Sequence, residues 1–198
     1  MKIFIGSHNK DKIKEIESIL TGFEVLSLKE FPDAPDVDED KDTIEGNACK
    51  KAIENARFTG LLTAADDTGL FVRALNDKPG AYSARYAGEG CSYQDNREKM
   101  LREMEGVTDR YAEFRTVVAL ADKNGLVATA HGVVAGEITT EELGDLGFGY
   151  DSIFKVTETQ KTFAQMTNFE KNKISHRALA FLKIKEHIEQ YFETSKEK

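Results

Sequence analysis

Apolar positions along the chain recur at two different spacings, and the switches between them mark out alternating strands and helices. Residues 2–6 (KIFIG) form a short apolar run that predicts a strand, and residues 10–20 follow with Ile13, Ile16, Ile19 and Leu20 at helical spacing. Thr43 stands where a second helix would open. Behind it Ile44, Ala48, Ala52 and Ala56 recur every fourth residue, one narrow apolar stripe that should end near Gly60. Leu61, Leu62, Ala64 and Ala65 then predict a buried strand whose C-terminal end carries Asp66 and Asp67. Ser92 suits the N-cap of a helix running through Met100, Leu101 and Met104, with Gly106 as its C′ residue. Two long β-prone stretches, Tyr111–Ala121 and Leu126–Ile138, are joined by Asp122-Lys123-Asn124-Gly125, and an Asn-Gly in that place predicts an antiparallel hairpin. Ser175 can cap a last helix, with Leu179, Leu182, Ile188 and Phe192 on its inner side and His176 and Arg177 in its first turn; the charged tail SKEK should fray. The expected fold class is α/β, a long central mixed β-sheet flanked by helices.

Length and charge narrow the function. At 198 residues and 40% hydrophobic content the chain suits a single domain, 1–198, able to bury a core. Thirty-five acidic against twenty-seven basic residues give a net charge of −8, and no Lys/Arg run supplies the footprint that nucleic-acid binding needs. The apolar stretch at the N-terminus is too short for a signal peptide, and no window approaches the roughly eighteen apolar residues of a membrane span, so a cytoplasmic protein without membrane contact is expected. Cys49 and Cys91 lack Cys-x-x-Cys spacing and are read as reduced, buried thiols.

Several segments are too polar or too glycine-rich for their places. SHNKDK (7–12) lies between the first strand and first helix, where helix N–H groups favour an anion; Ser7, Asn9 and Lys12 could hold a phosphate chain or simply form a capping turn. Asp66 and Asp67 stand at a predicted strand end, where α/β sheets place ligands. A Mg²⁺ ion would relieve their repulsion, and the alternative is a surface turn capped by either one. In DVDED (36–40), Glu39 is the residue best placed to reach the same ion. GFGYDSIF (147–154) combines flexible glycines with Phe148, Tyr150 and Asp151, a set that suits a purine ring as well as a glycine turn over core aromatics. Lys171, His176 and Arg177 crowd a predicted helix start, where cations are disfavoured unless an anion accompanies them.

With these segments in view, the sequence resembles the inosine triphosphate pyrophosphatase family, enzymes that hydrolyse non-canonical purine nucleoside triphosphates. The resemblance runs nearly end to end and is carried by SHNKDK, by ADDTGL followed by PGAYSARYAG (79–88), by GFGYDSIF and by SHR (175–177). It implies two lobes with the active-site cleft between them, Mg²⁺ as cofactor, a homodimer, and ITP, dITP or XTP cleaved to the monophosphate and pyrophosphate. Ser7, His8, Asn9, Lys10, Asp11 and Lys12 would contact the triphosphate, with Lys51 facing it. Glu39 and Asp67 would bind the metal, with Asp66 as a further candidate, and Asp67 would be the proton acceptor. Thr68 would touch substrate, Phe148, Gly149, Tyr150 and Asp151 would receive the base, and Lys171, His176 and Arg177 would complete the site. An N–H of His176 or Arg177 would discriminate a 6-oxo from a 6-amino purine. Arg85 is a further candidate for phosphate or for the dimer interface. The chain departs from the family pattern at Ser152, where proline is usual, and at Gly46, where an acid is common. A pyrophosphatase with another base preference and a non-catalytic nucleotide-binding regulator are the alternatives.

Overall fold

A computed structural model of the chain describes residues 1–196. Among the described residues seven strands and five α-helices follow one another: β1 (Lys2–Ile5), α1 (Lys10–Ile19), β2 (Glu24–Ser27), α2 (Ile44–Thr59), β3 (Thr63–Val72), β4 (Lys78–Gly80), α3 (Tyr93–Glu103), β5 (Tyr111–Asp122), β6 (Gly125–Ile138), β7 (Phe154–Val156), α4 (Asn168–Ile174) and α5 (His176–Lys196). The strands form a mixed sheet in the order β2-β1-β3-β5-β6-β7, with β4 paired to β3. β1 runs parallel to β2 and to β3, while β4 is antiparallel to β3 and β7 to β6. The expected α/β class and central mixed sheet are thus observed. Of the SKEK tail, α5 takes in Ser195 and Lys196, whereas Glu197 and Lys198 lie outside the described residues.

The chain divides into two compact units. The first holds Met1–Asp67, Thr116–Gly132 and the chain from Arg177; the second holds Thr68–Arg115 and Val133–His176. In the first, Ile3 and Ile5 of β1, Ile16 of α1, Leu120 of β5 and Phe181, Ile184 and Ile188 of α5 form one buried cluster. The inner side of α5 therefore runs through Phe181, Ile184 and Ile188, while the expected Leu182 is 49% exposed. In the second, Phe114, Phe154, Phe163 and His176 pack ring on ring, with Phe114 and Phe154 centroids 4.7 Å apart.

Local chemistry explains most boundaries. Asn9 caps α1 by accepting from the N–H groups of Asp11 and Lys12, Thr43 caps α2 by accepting from Gly46, and Gly60 ends α2 in the left-handed region at φ +69°. Ser92 and Asp95 form a reciprocal capping box at the start of α3. β5 and β6 are sheet neighbours joined by Lys123 and Asn124 alone, a connection too short for anything but an antiparallel pair. Asp122 folds that turn by accepting from the N–H groups of Asn124 and Gly125. One expectation is corrected: β3 does not end at the two aspartates but continues past them to Val72.

Candidate active site

The first unit gathers most of the predicted phosphate and metal residues around β3. Alternation along a strand sends Asp66 and Asp67 to opposite faces, so their carboxylates take different hydrogen-bond partners. Asp66 has a fully buried side chain, and its Oδ2 lies 3.1 Å from the Lys12 ammonium and accepts from Arg177 Nε at 3.3 Å. Arg177 Nη1 also donates to Glu15 on α1. Burial pushes the Asp66 carboxyl upward, but the charges of Lys12, Arg177 and Lys51 outweigh it and hold the group well below the usual carboxylate range. The cationic start of α5 has thus found its anion inside the protein.

Asp67 sits differently. Its Oδ2 accepts from Asn47 Nδ2 at 3.1 Å, and its Oδ1 lies 3.7 Å from the Lys51 ammonium. Lys51 is buried; it donates to the Asp66 carbonyl at 2.9 Å and to the Glu39 carboxylate. Burial raises the Asp67 carboxyl above its ordinary value in spite of Lys51 and Lys12, and Glu39 pushes the same way. Burial also opposes the charge on Lys51, but Asp67 and Glu39 more than offset it and keep the ammonium charged. The source of this arrangement is a polar stripe on α2: Asn47, Lys51 and Asn55, four residues apart and all buried, run beside the apolar Ile44/Ala48/Ala52/Ala56 stripe.

Four carboxylates (Glu15, Glu39, Asp66, Asp67) face three cations (Lys12, Lys51, Arg177) in this cluster. Glu39 and Asp67, converging on one ammonium, are oxygen donors of the kind a hard divalent cation takes. Among the described residues no group of three or more His, Cys, Asp or Glu is arranged to hold a metal ion. Glu39 and Asp67 could hold such an ion between them, with water or phosphate oxygens left to complete its shell.

The remaining residues of SHNKDK surround the N-terminus of α1. Ser7 Oγ accepts from the N–H of Asn9, whose side chain caps α1, while His8 pairs with Asp36 at 3.4 Å on the surface. Lys10 is exposed and Asp11 half-buried in the first helical turn.

The second unit assembles the loop 147–152. Asp151 Oδ2 accepts from the N–H of Phe148 at 2.8 Å and from the Lys171 ammonium at 2.6 Å, and that ammonium lies 4.8 Å from the centroid of the Phe148 ring. Lys171 is buried on α4, a short helix that the sequence did not announce and that Thr167 and Glu170 cap reciprocally. Tyr150 is buried and donates its hydroxyl to the Ser83 carbonyl at 2.8 Å. Ser83 Oγ in turn donates to the Gly80 carbonyl and accepts from the N–H of Leu70, so PGAYSARYAG works here as a brace between β3, β4 and the loop. Its Arg85 lies 3.6 Å from Glu89. His176 is buried and stacks on Phe114 at 4.6 Å. Thr68 is half-buried just past the aspartates on β3.

Gly147 shows how tightly the loop is drawn: at φ +75° a Cβ would meet Asp151 Oδ2 at 2.1 Å. Gly147→Ala should therefore displace the Asp151 carboxylate and destabilise the protein by about 1–2 kcal/mol or more from the left-handed strain alone. Thermal unfolding checks this, and a melting temperature equal to wild type would refute it.

Sequence reasoning missed Glu15, Asn47 and Ser83. Glu15 shares a helix face with Ile19, and Asn47 lies four residues ahead of Lys51; both spacings mark polar groups pointed into the interior. Ser83 gave no such sign, because its partners come from Leu70, Gly80 and Tyr150.

Known proteins resemble this chain over nearly its whole length. The dITP/XTP pyrophosphatase of Desulforamulus reducens is 46% identical over 190 residues, covering 94% of each chain. That of Geobacter sulfurreducens is 44% identical over 191 residues, covering 94% of this chain and 96% of the relative. The solved Staphylococcus aureus Ham1 protein superposes with a TM-score of 0.86 at 39% identity, over 96% of this chain and 100% of that one. Residues 3–187 match the Ham1 family, and the chain belongs to it.

Proposed function

We propose that this protein hydrolyses non-canonical purine nucleoside triphosphates, dITP and XTP among them, to the nucleoside monophosphate and pyrophosphate. The relatives' activity at 46% and 44% identity over nearly the whole chain supports this reading. The observation that carries it is the contrast between two neighbouring acids, Asp66 locked in ion pairs and Asp67 buried with its carboxyl raised. A base that must take a proton from water works best with a pKa nearer the working pH than an ordinary carboxylate. Asp67 is that base. It orients a water for attack on the α-phosphorus, and Lys12 and Lys51 offset charge on the leaving pyrophosphate. Mg²⁺ held by Glu39 and Asp67 would supply electrostatic stabilisation of the phosphate oxygens. Ser7 to Lys12 receive the triphosphate at the N-terminus of α1.

The base goes to Phe148, Gly149, Tyr150 and Asp151, with Phe148 as the stacking face and Tyr150 as the loop's buried anchor. The donor that reads the purine edge is Lys171, in place of the expected His176 or Arg177, which stack on Phe114 and pair with Glu15 and Asp66. An ammonium can only donate, so it matches a 6-oxo group and opposes the 6-amino donor of adenine. His176 supports the aromatic cluster behind Lys171, and Thr68 completes the approach to substrate. A homodimer and a cytoplasmic location accompany this reading; both cysteines are free thiols, and no described helix is long and apolar enough to cross a membrane.

The experiment is pyrophosphate release from ITP, dITP, XTP, ATP, GTP and dUTP with Mg²⁺ and after chelation. The 6-oxo substrates ITP, dITP and XTP should turn over at least about 100-fold faster than ATP, the discrimination a hydrogen-bonding site can impose. Equal rates on ITP and ATP would refute the base assignment, and tight binding without release would make the protein a regulator.

A further inference from the structure

We infer that the N-terminal half of α3 sets the base preference of the site, with Arg97 as its positioning residue. The loop 147–152 contains two glycines in the left-handed region, Gly147 at φ +75° and Gly149 at φ +62°, and a glycine loop left to itself samples many conformations. α3 holds it at three places. Arg97 Nη1 donates to the Gly149 carbonyl at 2.9 Å, and Arg97 Nε donates to Glu142 Oε2 at 2.8 Å. That same carboxylate oxygen accepts from Ser152 Oγ at 2.8 Å. Tyr93, the first residue of α3, lies 5.9 Å ring to ring from Phe148. Gln94 joins the network by donating to Glu142 at 3.1 Å and accepting from Arg97.

The guanidinium therefore ties the loop's backbone at Gly149 to its side chain at Ser152 through one carboxylate. The Arg97 side chain is 17% and that of Glu142 33% exposed, sheltered enough for the pair to hold a geometry rather than fluctuate in water. A hydroxyl at position 152 is what lets Glu142 grip the loop; a side chain without a donor there would leave the Arg97 bond to the Gly149 carbonyl as the loop's one hydrogen bond in this network. Because Phe148 and Asp151 stand on either side of Gly149, the tether fixes both the stacking face and the carboxylate that orients Lys171. Misplacement of either by a fraction of an ångström weakens the contacts that read the base and leaves the phosphate chemistry alone.

The inference rests on Phe148 as the base platform, and the test separates the two. Arg97→Ala should raise KM for dITP and XTP roughly tenfold, leave kcat within about threefold and narrow the preference for dITP over dATP. The inhibition constant of inorganic pyrophosphate and the melting temperature should stay at wild-type values. Arg97→Lys, which can reach one partner but not both, should recover part of the loss in KM. Ser152→Ala should shift KM the same way by less, and the double variant should fall short of the product of the two effects, because both act through Glu142. Unchanged KM in Arg97→Ala, or a parallel fall of kcat and stability on every substrate, would overturn this inference alone. A wild-type protein that released no pyrophosphate would overturn the functional reading and this inference with it.

Discussion

Asp67→Asn should lower kcat for dITP by about 10²–10⁴-fold while leaving the protein folded. The substitution keeps the size of the side chain and a carbonyl oxygen toward Asn47 but removes the group that accepts a proton from water. Stability should hold or rise. Burial holds the Asp67 carboxyl above its ordinary value, so the folded state disfavours its charged form, and a neutral amide removes that penalty. In the wild type, an acid whose folded pKa is raised costs stability once pH exceeds its unfolded value, and the cost is complete above the folded one. The same group should give kcat/KM an acid limb above about pH 4, where an ordinary carboxylate titrates. Pyrophosphate release across pH, with wild type and variant side by side, reads both effects. A variant that keeps wild-type turnover would show that the proton goes elsewhere, and Glu39, which shares Lys51 with Asp67, would be the next residue to change.

The fold and the site were legible to different depths, and the difference follows from the range of the interactions involved. β1, α1, α2, α3 and the β5–β6 hairpin could be read because their signals are local: an Asn9 or Thr43 cap, a four-residue repeat of small apolar residues, an Asn-Gly turn. β3 was read short because Asp-Asp looks like a strand end when its partners are out of sight. Those partners are Asn47 and Lys51 on the preceding helix, Lys12 on the first and Arg177, 111 residues beyond Asp66. The inner face of α5 was legible only in part, with Ile188 and Phe192 on it and Leu182 off it, for a related reason. Arg177 and Ala178, a cation and a small residue, begin the buried stripe that Phe181, Ile184 and Ile188 continue, and by composition neither announces a core position. The residues proposed for the site could be named from the sequence as a set of chemical types, but the contacts they make with one another were not visible. Whether a cation waits for substrate or already holds an acid is decided by contacts between distant segments. Tyr150, paired with Ser83 across 67 positions, shows the same limit in the loop.

Asp66→Asn tests that division from the other side, and its effect should be opposite to that of its neighbour. Removing one charge from a buried pair leaves the remaining one uncompensated, a loss of about 3–5 kcal/mol, whereas the net worth of an intact pair is much smaller. Arg177 has a buried side chain, and its other partner, Glu15, does not fill the place of Asp66 at Nε. At roughly 2–4 °C per kcal/mol for a chain of this size, the melting temperature should fall by about 6–20 °C. Measured with a chelator present, so that no divalent ion contributes, the loss should also depend on pH. The Asp66 carboxyl is held below the usual range, so its contribution is present above the unfolded value near pH 4, and disappears as pH falls through the folded one. Wild type and variant should therefore differ most at neutral pH and converge in strong acid. Melting curves that coincide at pH 7 would mean that Lys12 and Arg177 gain nothing from Asp66. In that case the two cations are held for the triphosphate, and Asp66, like Asp67, belongs to the chemistry.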